Sequence, residues 1–163
     1  MAVTYLSLGS NLGNRRRQLM TAVALLAERA GKILALSGFY ETEPWGYDSP
    51  HVFLNMAVQL ETALPPLELL SETQRIEQEL GRTAKSDGAS YQDRLIDIDI
   101  LLYDKIVQMY PGGLVLPHPR MHQRLFVLQP LAEIAPALQH PALQQTVTEL
   151  LEGLNGRAGG RVV

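Results

Sequence analysis

The 163-residue sequence contains no cysteine. That excludes disulfides, zinc–thiolate sites, thiolate-held iron–sulfur clusters and thiol catalysis, and it accords with a reducing cytoplasm, where the protein is expected. No apolar run approaches the roughly 20 residues of a membrane span. Met1 leads directly into a short β-rich stretch with no basic leader, so neither a membrane segment nor a signal peptide is expected. Positive charge is scarce as well: 14 Lys and Arg stand against 17 Asp and Glu, a formal net charge of −3. Nucleic-acid binders draw their affinity from clustered cations, so that class is disfavoured. A single nucleotide needs only a local basic patch and metal ions, and it stays open. There is no internal repeat and no dividing linker, and 46% hydrophobic with 19% charged residues describes one globular domain over 1–163. Residues 155–163 are expected to fray.

Val3–Leu8 is rich in β-formers and reads as a strand, with Gly9–Asn14 as the following turn and Asn14 as a helix N-cap. Leu19, Val23, Leu26 and Ala30 recur at helical spacing up to Gly31. Residues 33–42 return to extended character, and 43–50 form a loop holding two prolines and a glycine. Over Phe53–Glu61 the side chains alternate, with Leu54, Met56, Val58 and Leu60 on one face and Phe53, Asn55, Ala57 and Gln59 on the other. Pro65-Pro66 opens a second helix with Leu69, Leu70, Thr73, Ile76 and Leu80 inward. A polar loop covers 82–93, a strand covers Leu95–Tyr103, and a hairpin turns through Pro111-Gly112-Gly113 to Leu114–Leu116. Helices are expected near Met121–Ile134, broken or kinked by Pro130, and near Thr146–Leu154. The order strand–helix–strand–strand–helix–strand predicts an α+β, ferredoxin-like βαββαβ core: an antiparallel sheet, helices packed on it and extra C-terminal elements.

Chemistry concentrates on the strand after the polar loop. Alternation puts Ile96, Ile98, Ile100 and Leu102 on one face and Asp97 and Asp99 on the other, the two aspartate Cα atoms roughly 6–7 Å apart. Like charges that close repel unless something offsets them, and Asp is depleted in strands. Hard divalent cations such as Mg²⁺ offset such a pair and grip polyphosphates. Arg82 and Lys85 on the preceding loop, Arg94 at the strand's entry, and Arg120 and Arg124 beyond it supply phosphate-binding cations. Singly each is an ordinary surface charge; their grouping around the aspartates carries the argument.

Gly9–Asn14 lacks the Gly-Lys-Ser/Thr ending of a P-loop and reads as a structural turn. His118 and His122 have helical spacing, but Pro119 disfavours helix there and no metalloprotease Glu accompanies them, so His118 reads as a phosphate donor or a loop-packing group. Phe53 and Asn55 together suggest a ring-stacking group beside an amide that reads polar edges, with Trp45, Tyr91 and Phe126 as further aromatic surface for a flat heterocycle. Gln74 and Glu77 share a helix face.

These residues sit in a run of longer matches: Tyr5–Gly13, Phe39–Thr42, Phe53–Asn55, Thr73–Glu77, Leu80–Arg82, Asp93–Leu101, Leu116–Met121 and Pro130–Pro136. Over that span the chain resembles the 6-hydroxymethyl-7,8-dihydropterin pyrophosphokinases. The resemblance implies a ferredoxin-like monomer that transfers pyrophosphate from ATP to 6-hydroxymethyl-7,8-dihydropterin in folate synthesis. By the same resemblance two Mg²⁺ ions would be held by Asp97 and Asp99. Asn55 would read the pterin edge, Phe53 and Phe126 would lie against its faces, and Thr42, Glu43 and Trp45 would add contacts beside Tyr91. Gln74, Glu77, Ile100, His118 and Arg124 would meet the nucleotide, and Arg82, Lys85 and Arg94 the phosphates. The chain departs from the family pattern at Glu43, Ala84, Tyr91-Gln92-Asp93 and Gly113. Two other readings are a ferredoxin-like RNA-binding domain, which needs stacked aromatics on central strands where Asp97 and Asp99 are expected instead, and a phosphohydrolase using the same carboxylates.

Overall fold

A computed structural model describes residues 1–42, 52–81, 95–154 and 161–162. The first strand, β1 (Ala2–Ser10), leads through a turn to α1 (Arg15–Arg29). Asn14 caps that helix, its side chain accepting from the Arg17 amide at 3.2 Å, and Leu19, Ala22, Val23 and Leu26 form its buried stripe. The chain then passes Gly31, where a Cβ would lie 2.0 Å from the Glu61 carbonyl oxygen, so only glycine permits this helix-to-strand approach.

The next extended stretch is broken into β2 (Lys32–Leu36) and β3 (Tyr40–Thr42), both paired with β4 (Phe53–Thr62). At the break, Ser37 keeps the ladder closed: its amide donates to the Ala57 carbonyl and its hydroxyl accepts from the Ala57 amide. Helix α2 (Pro66–Gly81) buries Leu69, Thr73 and Ile76 and leads by way of residues 82–96 to β5 (Asp97–Tyr103). With β8 formed by Arg161–Val162, the order β5-β1-β4-β3-β8 is antiparallel throughout, with β2 also on β4. Counting β2 and β3 as one broken strand gives fourth-first-third-second, the ferredoxin-like order expected from the sequence.

Both faces of this sheet are covered. On one side Leu6, Leu8, Leu54, Met56, Ile98 and Ile100 pack with Leu19, Leu26, Leu69 and Ile76 of α1 and α2. On the other, Ala57, Leu101 and Leu102 pack with Met121 and with two helices, α3 (Leu125–Ile134) and α4 (Val147–Gly153). Each fully buried leucine contributes about 2 kcal/mol through the water it releases. Between β5 and α3 lies a two-stranded ribbon, β6 (Gln108–Met109) and β7 (Val115–Leu116), turned by Pro111–Gly113 with Gly112 and Gly113 at φ of +85° and +91°. Pro130 sits inside α3, and Thr146 and Glu149 form a reciprocal capping box at the start of α4.

Four expectations need correction. Strand β1 runs on through Gly9 and Ser10, where the sequence predicts a turn, because both pair with β4. The β5 strand is at the end of the sheet and not at its centre. A bulge between β1 and β5 inserts Leu101, so Leu102 packs with the second cluster and not beside Ile96, Ile98 and Ile100. Within the stretch expected to fray, Arg161–Val162 forms β8 and pairs with β3. No helix among the described residues is long and apolar enough to cross a membrane.

Candidate active site

The site begins with a row of cross-strand partners. Asp97 on β5 stands opposite Gly9 on β1, Gly9 opposite Asn55 on β4, and Asn55 opposite Tyr40 on β3. Partners in one row point to the same face, here the face that α3 covers. Asp99, two residues on, stands opposite Ser7 and shares the face of Asp97. Strand spacing puts Asp97 and Asn55 roughly 10 Å apart across Gly9. Gly9 keeps that interval bare, since a Cβ there would come within 2.9 Å of Asn55 Oδ1 and 3.6 Å of the Phe53 ring.

Asn55 is 3% exposed, and its Nδ2 donates to Thr42 Oγ1 at 2.7 Å, which leaves the amide oriented by β3. Phe53 faces Thr42 across the ladder and is half-buried. Three of the residues expected to meet the pterin, Thr42, Phe53 and Asn55, thus form one patch where β3 meets β4. Arg15, at the start of α1, braces the same corner by donating to the Val52 carbonyl at 2.8 Å and pairing with Glu41 at 3.4 Å.

On the acidic side, Glu77 reaches from α2 around the edge of β5. Its Oε2 accepts from the Ile98 amide at 2.8 Å, so an edge-strand donor is satisfied by a side chain. Burial pushes the Glu77 carboxyl up to about 7; the Ile98 amide opposes the rise, and the charges of Asp97 and Asp99 add to it. Three carboxyls therefore crowd one end of the sheet. Among the described residues no group of three or more His, Cys, Asp or Glu forms a ready-made metal cage. Mg²⁺ commonly takes one or two carboxylates and completes its shell with water and substrate phosphates, so the hard-oxygen donors of Asp97 and Asp99 fit it.

His118 follows β7. Its amide donates to the Leu101 carbonyl at 2.8 Å, and its Nδ1 accepts from the Arg120 amide at 3.1 Å. Burial lowers its pKa to about 4, with Arg124 and Arg120 adding to the effect, so the imidazole is neutral and carries its proton on Nε2. Arg124 precedes α3 with its guanidinium 5.6 Å from the centre of the Phe126 ring, and Phe126 packs against the second cluster. Gln74 is exposed on α2, whereas Ile100 is 4% exposed and its side chain belongs to the first core cluster. Glu43, Trp45, Arg82, Lys85, Tyr91 and Arg94 lie outside the described residues. A cavity of about 440 Å³ is lined by His118, Val107, Met109, Val115, Pro119 and Leu143 among others, but Asp97, Asn55 and Phe53 are not part of its wall.

Sequence reasoning missed Gly9, Arg15, Tyr40 and Glu133. Gly9 left a signal, a glycine ending an otherwise β-rich run, but its two partners are 46 and 88 residues away and become visible only in the paired sheet.

A family model described as 7,8-dihydro-6-hydroxymethylpterin-pyrophosphokinase (HPPK) matches residues 5–136. The chain is 55% identical over 141 residues to the 2-amino-4-hydroxy-6-hydroxymethyldihydropteridine pyrophosphokinase of Porphyromonas gingivalis, covering 86% of this chain and 95% of that one. To the Bacillus subtilis protein of the same name it is 46% identical, covering 86% and 82%. In fold it is similar to a crystal structure of Plasmodium falciparum HPPK-DHPS with SDX-DHP, at TM-score 0.74 and 18% identity, covering 96% of this chain. It spans 44% of that longer chain.

Proposed function

The chain belongs to the 7,8-dihydro-6-hydroxymethylpterin-pyrophosphokinase family, and from that premise we propose how its residues carry out the transfer. Membership makes it a pyrophosphokinase of folate biosynthesis with ATP as co-substrate. The hydroxymethyl oxygen of 6-hydroxymethyl-7,8-dihydropterin attacks the β-phosphorus of ATP in line. A new P–O bond forms, the bond to the α-phosphate oxygen breaks, AMP leaves and the hydroxyl proton is released.

The observation that carries this reading is the row Asp97–Gly9–Asn55. It supports the reading because the Asn55 amide and the Asp97 carboxylate share one sheet face, separated only by a glycine. Asn55, aimed by Thr42, hydrogen-bonds the pterin edge. Phe53 and Phe126 lie against the ring faces, and Glu43, Trp45 and Tyr91 add contacts. Asp97 and Asp99 would hold two magnesium ions, which would supply charge neutralisation for the polyphosphate and for the attacking and leaving oxygens. Gln74, Glu77 and the backbone of Ile100 contact the nucleotide. Neutral His118 offers an Nε2–H donor to a phosphate oxygen without adding charge, while Arg124, Arg82, Lys85 and Arg94 supply cations. Most of the rate enhancement then comes from holding two reactants in attack geometry in a charge-matched site.

The test is Asp97→Asn and Asp99→Asn assayed across a magnesium titration. Both variants should keep the wild-type melting temperature and lose turnover by roughly 10³-fold or more. Wild-type-like rates in either variant contradict the two-carboxylate role.

A further inference from the structure

Glu133 lies near the C-terminal end of α3, and it makes polar contacts with β3 and with Gly38 just before that strand. Its Oε1 accepts from the Tyr40 hydroxyl at 2.7 Å and from the Gly38 amide at 3.0 Å, and its Oε2 accepts from the same amide at 3.2 Å. Tyr40 is 8% exposed and is the direct cross-strand partner of Asn55. Two residues further along β3, Thr42 accepts from Asn55 Nδ2. Seven residues before Glu133, on the same side of the helix after two turns, stands Phe126. One carboxylate therefore ties the strand that aims Asn55 to the helix that carries Phe126.

We infer that Glu133 is a positioning residue for the pterin pocket: through Tyr40 and Gly38 it sets the spacing between the Asn55–Thr42 pair and Phe126 without touching the substrate. The inference rests on the function proposed above. A purely structural role is a poor fit, because α3 is already anchored by Val127, Leu128 and Leu131, each no more than 2% exposed. Apolar burial of that size holds the helix on the sheet, whereas the directional hydrogen bonds of Glu133 fix its setting over β3. The contact also persists across the working pH range. Burial and the neighbouring Glu133 push the Tyr40 hydroxyl up to about 12, so it remains a donor.

The experiment measures kcat, the KM for each substrate and the melting temperature of Glu133→Ala, Glu133→Gln, Tyr40→Phe and the double variant Glu133→Ala/Tyr40→Phe. Glu133→Ala should raise the pterin KM roughly tenfold, the scale of a lost hydrogen bond to a charged group, and leave the ATP KM within about twofold. Glu133→Gln keeps an acceptor oxygen and should recover most of the loss. Tyr40→Phe should show part of the same effect, and the double variant should be little worse than Glu133→Ala, because both changes remove one contact. An active wild type whose pterin KM is unchanged in Glu133→Ala overturns this inference alone. So does a rise in both KM values that tracks a fall in melting temperature. A wild-type protein that makes no AMP from ATP and pterin overturns the function on which the inference rests.

Discussion

Gly9 and Asn55 face each other across the β1–β4 ladder, so close that a Cβ on Gly9 would lie 2.9 Å from Asn55 Oδ1. A methyl group there displaces the amide and fills the space beside Phe53. Gly9 is not in the left-handed region, so the substitution adds no backbone strain and the protein should still fold. Gly9→Ala is expected to lower kcat/KM for the pterin by roughly 10²-fold, as for a reacting group misplaced by about an ångström. Steady-state kinetics with each substrate varied in turn checks it; the ATP KM should hardly move.

Thr42 tests the same amide from the other side. Thr42→Val keeps the shape and removes the oxygen that accepts from Asn55 Nδ2. Freed from its partner, the amide samples other orientations, and the pterin KM should rise roughly five- to tenfold. Titration calorimetry with pterin in the presence of a non-hydrolysable ATP analogue reads this directly, and unchanged affinity would remove Thr42 from the pocket.

Gly31 bears on the fold alone. Its Cβ would stand 2.0 Å from the Glu61 carbonyl oxygen, a backbone atom that cannot turn aside. Gly31→Ala forces α1 away from β4 and should cost about 2 kcal/mol or more, read as a lower urea midpoint with unchanged slope. Substrate KM values of the folded fraction should match wild type.

His118 makes the stability of the protein depend on pH. The unfolded imidazole takes up a proton near pH 6.5, but the folded one, desolvated and beside Arg124 and Arg120, does so only near 4. The unfolded state therefore binds more protons in that window, and stability falls as pH drops through it. Melting curves at about pH 7.5 and about pH 4.5 should show a larger loss for wild type than for His118→Asn, since the variant lacks this proton uptake. Equal losses would mean that His118 is not held neutral in the folded protein.

Local chemistry was well recorded in the sequence. Asn14 capped the helix it was expected to cap, Ile98 and Asp97 took opposite faces, and Gly112 and Gly113 made the turn of the ribbon. The aspartate pair and Asn55 could be singled out because each polar residue interrupts a regular apolar alternation. What stayed hidden depends on partners distant in sequence. The bulge that turns Leu102 to the other face, the edge position of β5 and the double pairing of Gly9 are all set by register between strands. The contacts of Glu133 exist only once α3 is laid across β3. The short strand at Arg161–Val162 likewise exists only because β3 presents a free edge to it.

The most direct test of the account is to mix the protein with ATP, magnesium and 6-hydroxymethyl-7,8-dihydropterin and to follow AMP and the pterin diphosphate by chromatography. The account predicts equal amounts of the two products, and no AMP when the pterin is left out. Release of phosphate or AMP at the same rate without pterin would contradict it, and would assign the carboxylates of Asp97 and Asp99 to hydrolysis.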